Sequence, residues 1–104
     1  MSDLFGKIKQ GIDKSTKVIG AKSASLIDTN KVKSEISSLT KNKEELLSKV
    51  GLLVYKADPL AFSYELVREQ IEAIQLIDAQ IIKKNEELEQ IKIETEEKLQ
   101  EINK

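Results

Sequence analysis

The chain has 104 residues, with 17 Lys/Arg, 18 Asp/Glu, one Pro, and no Cys, His or Trp. Without Cys or His it offers no zinc site of the usual ligand types, no thiol nucleophile, no Ser-His-Asp triad and no disulfide. Apolar residues make up 39% and charged residues 34%, a balance that suits long, exposed helix, and the length limits the chain to one domain.

The start, Met-Ser-Asp-Leu-Phe-Gly-Lys-Ile-Lys, alternates charge with apolar residues and has no continuous apolar run of a secretory signal. Leu4, Phe5, Ile8, Ile12 and, after a gap, Ile19 fall on one side of a helix; Lys7, Lys9, Lys14 and Lys17 border or oppose that side. Such a leader can lie in the interface of an anionic membrane, with Leu4, Phe5, Ile8 and Ile12 as the insertion face. Packing of the same face on a second copy, or on the chain's own C-terminal end, is the plainer expectation. The small, polar run Gly20-Ala21-Lys22-Ser23-Ala24-Ser25 then reads as a hinge or close-packing stretch. Residues 1–22 are thus taken as leader and hinge, and residues 23–104 as the main body.

From about residue 26 to 56 the periodicity is helical. Val32, Ile36, Leu39, Lys43, Leu46, Val50 and Leu53 step by alternating fours and threes, a heptad seam with one Lys in it. That Lys can lay its methylenes along the seam and lift its ammonium into water. The single proline interrupts next. In Ala57-Asp58-Pro59-Leu60 the Asp can cap a new helix and Pro59 suits its first turn, so a turn is predicted at 57–59; Ser63 is a second candidate cap. No Gly or Pro follows Leu60, and the spacing predicts one helix of roughly 40 residues to about 102. Leu66, Ile77, Leu88 and Leu99 recur every eleven residues, as do Ile71, Ile82 and Ile93, the spacing of a nearly straight or weakly right-handed helix.

A short break between two long helices predicts antiparallel neighbours. In the best register Leu53 faces Tyr64, Val50 faces Val67, Leu46 faces Ile71, Lys43 faces Ile74, Ile36 faces Ile81 and Leu26 faces Ile91. Carried further, Val18 meets Leu99 and Ser15 meets Ile102. The expected seam is Val32, Ile36, Leu39, Leu46, Val50 and Leu53 on the first helix, with Val67, Ile71, Ile74, Ile77, Ile81 and Leu88 on the second. Residues 1–56 carry 11 Lys against 6 acids and residues 57–104 carry 6 Lys/Arg against 12, so the two halves attract when folded together.

The second helix spreads its aliphatics over roughly 200° of its circumference, with Leu76 on the far side, while the first confines most of its own to about 120°. A two-helix hairpin cannot cover the wider stripe. Homo-oligomerisation follows as the expectation, a dimer forming a four-helix arrangement most simply. Glu94, Glu96, Glu97 and Glu101 face different directions with Lys92 and Lys98 among them, so a solvated face with Glu94–Lys98 pairing is expected there and no metal site. With only one Arg, no aromatic interleaving of its Lys residues and a net charge of −1, the chain is a poor nucleic-acid binder. Gly51, beside Val50, is read as a point of close approach for Tyr55, Tyr64 or a neighbouring backbone. No catalytic constellation, cofactor motif or phosphate loop is present.

Leu4-Phe5-Gly6-Lys7-Ile8, Lys31-Val32-Lys33-Ser34-Glu35-Ile36, Val50-Gly51-Leu52-Leu53-Val54-Tyr55 and Asn85-Glu86-Glu87-Leu88 together resemble a group of small bacterial coiled-coil proteins, many of which end in a zinc ribbon. The resemblance covers nearly all of the chain and implies a helical coiled-coil fold. The ribbon's cysteines are missing, so zinc binding does not carry over. In layout the leader also looks like that of membrane-remodelling proteins of the phage-shock type.

The expected fold is therefore all-α: an elongated antiparallel two-helix hairpin with an amphipathic N-terminal extension, packing into a helical-bundle oligomer. The expected role is a non-enzymatic cytoplasmic scaffold or protein-interaction module acting as a homo-oligomer, with a further protein partner conceivable. The alternative is a peripheral membrane protein on an anionic surface.

Overall fold

The computed structural model describes the backbone of residues 2–103 and the side chains of residues 14–103. The protein is all-α. Helix α1 (Ser2–Lys56) and helix α2 (Arg68–Ile102) are joined by a loop and one 3-10 turn (Tyr64–Leu66), and no strand occurs among the described residues. The chain divides into two compact units. The first combines Met1–Val32 with Glu87–Lys104, and the second is the continuous stretch Lys33–Glu86.

The second unit is a helical hairpin. Its α1 half protects Ile36, Leu39, Lys43, Leu46, Val50 and Leu53, all half-buried at the predicted spacing of four and three. Its α2 half buries Val67 and Ile74 and half-buries Ile71, Ile77 and Ile81. Apolar side chains at this spacing form one stripe per helix, and covering those stripes is what holds two long amphipathic helices together. Lys43 keeps its seam position, but its ammonium does not rise into water; it reaches Asp78, one turn beyond Ile74, with Nζ–Oδ1 at 2.6 Å. Glu35 and Lys84 form a second ion pair between the helices of this unit.

The break is longer than the predicted turn at 57–59. Helix α1 ends as the Ala57 N–H donates to the Leu53 carbonyl. Asp58 then caps no helix, because its carboxylate is used locally: Oδ1 accepts the Leu60 N–H at 3.0 Å while the Asp58 carbonyl accepts the Ala61 N–H at 2.9 Å. Those two bonds close a tight turn around Pro59 and aim the chain away from helix. Ser63 sits at the N-cap of the 3-10 turn with extended backbone, and its side chain makes no capping bond. Tyr64, expected opposite Leu53, is exposed in that turn. Arg68 fixes the restart, donating through Nε to Glu72 and through a terminal nitrogen to Glu65. Its pKa is raised, chiefly by the bond to Glu72 and then by that to Glu65. At 35 residues, α2 is about 52 Å long at the usual rise per residue.

In the first unit α1 runs without a break through residues 20–25, so the small, polar run is no hinge; Ala21 and Ser25, half-buried, fit its other reading as a close-packing stretch. A lone Gly costs a helix only about 1 kcal/mol and cannot break one this long. The seam here passes through Lys14, Val18, Ala21, Ser25, Thr29 and Val32, of which Val32 alone is buried and the rest are half-buried. Facing them in sequence order, Leu88, Ile91, Thr95, Leu99 and Ile102 are half-buried on α2. Two predicted pairings fail. Leu26 is exposed rather than set against Ile91, because it lies about 100° around the helix from Ser25, and Ser15 gives its place to Lys14.

Candidate interaction surfaces

Every predicted seam residue on either helix is buried or half-buried: Val32, Val67 and Ile74 are buried, and Ile36, Leu39, Leu46, Val50, Leu53, Ile71, Ile77, Ile81 and Leu88 are half-buried. The membrane face read from Leu4, Phe5, Ile8 and Ile12 lies outside the described side chains. Gly51 is not a point of close approach within the chain, since a Cβ there meets nothing within 4 Å, and the same holds at Gly20. Glu94 accepts a bond from Gln90 Nε2 at 3.1 Å in place of the expected Lys98 pair.

What the sequence did not single out is how much large apolar surface stays uncovered, and where. The second unit gathers most of it at the turn, with Leu47, Leu76 and Ile82 exposed elsewhere. Leu60 is 97% and Tyr55 87% exposed, and Leu52, Phe62, Tyr64 and Leu66 join them. Three of the four aromatic residues of the chain therefore lie within ten positions at one end of this unit, none of them buried. Aromatic rings carry large contact area at low conformational cost, which is why they concentrate in interfaces. Their crowding around one proline was legible in the sequence; their exposure followed only from the longer loop.

In the first unit the uncovered residues form a stripe on α1. Ile19, Leu26 and Ile27 are 63%, 60% and 68% exposed. On the helical wheel Lys22 borders this stripe on one edge, and Lys31 and Lys17 on the other. On α2 of the same unit Ile93 is exposed, and Glu89, Glu96 and Glu97 lie within about 60° of it on the wheel. One helix thus presents aliphatics framed by cations, and the other an isoleucine framed by carboxylates. None of these six charged side chains forms a hydrogen bond or ion pair.

Among the described residues no three His, Cys, Asp or Glu side chains converge as metal ligands, and no helix is long and apolar enough to cross a membrane. Comparison with family models, curated proteins and solved structures finds no match.

Proposed function

We propose that the protein is a non-enzymatic scaffold that works as a homo-oligomer, two copies joining their helices into a bundle. Uncovered aliphatic surface carries this reading. Ile19, Leu26 and Ile27 on α1 and Ile82 and Ile93 on α2 are exposed, and aliphatics left in water on long amphipathic helices are what a bundle with a second copy covers. The core supports the same reading. Among the described residues three aliphatics are buried, Val32, Val67 and Ile74, which contribute about 1.5–3 kcal/mol each, while ordering each helical residue costs about 1–2 kcal/mol of backbone entropy. Further helices laid on the open stripes would enlarge the core without lengthening the chain.

Sedimentation equilibrium tests the reading. At tens of micromolar the expected species is a dimer or higher oligomer with strong helical circular dichroism. A helical 11.7 kDa monomer persisting to several hundred micromolar overturns it.

A further inference from the structure

We infer that the α1 stripe of Ile19, Leu26 and Ile27 in the first unit is the seat for a second copy's α2 face around Ile93. In that contact Lys17, Lys22 and Lys31 of one copy oppose Glu89, Glu96 and Glu97 of the other. This inference rests on the homo-oligomer reading and goes beyond it, because it fixes the partner helix.

Charge selects the pairing. Within the described part of this unit, α1 carries Lys14, Lys17, Lys22 and Lys31 against Asp28, a net +3. Over residues 87–103, α2 carries six Glu against Lys92 and Lys98, a net −4. Stacking α1 on α1 or α2 on α2 would set like charges together around the apolar contact, which is unfavourable at close range. Crossing them makes the contact complementary, and each copy offers both halves of it. In the second unit Lys43 and Lys84 already hold acids of their own hairpin. The flanking charges of the first unit hold nothing, so they are available to a partner.

Glycine adds a second mark. Gly20 lies beside the stripe in mid-helix, and a Cβ at this position would enter open space. Packing inside the chain therefore gives no return for a residue that costs a helix about 1 kcal/mol relative to Ala. A helix from outside can approach most closely over such a position.

A charge-swap experiment decides the matter. One variant carries Lys17→Glu, Lys22→Glu and Lys31→Glu; the other carries Glu89→Lys, Glu96→Lys and Glu97→Lys. Each alone is expected to self-associate at least about tenfold more weakly than the wild type at about 50 mM salt, where exposed charges are least screened. Mixed in equal amounts, they should form a heterodimer of near wild-type affinity, since both crossed contacts are then complementary again. Circular dichroism checks that each remains helical; if one does not, Leu26→Gln, at an exposed position, must weaken wild-type association instead. Wild-type-like association of either triple variant, or a mixture that forms no heterodimer, overturns this interface while the homo-oligomer reading stands. A wild type that never self-associates overturns both. A wild type that stays monomeric yet floats with phosphatidylserine vesicles, and loses this on the lysine swap, assigns the stripe to lipid and overturns the inference.

Discussion

The two units spend similar residues differently. In the second unit branched aliphatics occupy the seam, and the charges of Lys43, Asp78, Glu35 and Lys84 reach across it. In the first unit Ala21, Ser25 and Thr29 hold the seam positions, while Ile19, Leu26 and Ile27 stand outside it. Of the five large aliphatics that α1 carries over residues 14–32, only Val18 and Val32 lie on the seam. Helices held only by their own hairpin would gain by moving Ile19, Leu26 and Ile27 a quarter turn. Their displacement leaves an apolar stripe outside the hairpin, the one on which the proposed second copy would sit.

Mutations can break or sharpen this contrast. The largest effect is expected in the second unit, where Ile74→Ala should remove about 2–5 kcal/mol, read by urea denaturation, because that side chain is buried in a thin core. Leu26→Ala, measured dilute enough to keep the protein monomeric, should change stability by no more than about 0.5 kcal/mol. Equal losses would show that the first unit packs its aliphatics inward after all. Smaller and of opposite sign, Gly51→Ala and Gly20→Ala should each stabilise the dilute protein by up to about 1 kcal/mol, since the added Cβ meets nothing. A loss at Gly20 in dilute protein would reveal an intramolecular contact there. The smallest effect belongs to Asp78→Ala, which should cost under about 1 kcal/mol and less still at 1 M salt, because its pair with Lys43 is part-exposed. Lys22→Ala in the first unit should be silent in the same assay.

How far these features were legible follows from the physics of each. The heptad from Val32 to Leu53 reads directly, because a stripe of aliphatics at that spacing has one way to be covered by a neighbouring helix. Leu26 was misplaced because it is large and apolar, and size alone argued for the seam; the observed path steps from Ser25 to Thr29 and leaves it aside. The turn was read too short because Asp58 before Pro59 resembles a helix start, and sequence does not tell whether that carboxylate serves a helix or its own turn. The surplus width of the second helix was legible and appears as exposed Ile82 and Ile93, with Leu76 on another side. Lys17 beside Ile19 was legible in the leader's pattern; its place along one stripe with Leu26 and Ile27 was not, because these two large aliphatics turn out exposed.

The bond between Lys43 and Asp78 works as a key for alignment. A heptad stripe tolerates sliding by one helical turn, since every aliphatic then finds another aliphatic. Slid by that amount, the ammonium would lose its carboxylate and the pair would contribute nothing, a small loss for a part-exposed pair but one that the aliphatics do not register. A lysine within the aliphatic stripe of the second unit thus favours one setting of the hairpin, a preference that hydrophobic contact alone would not supply.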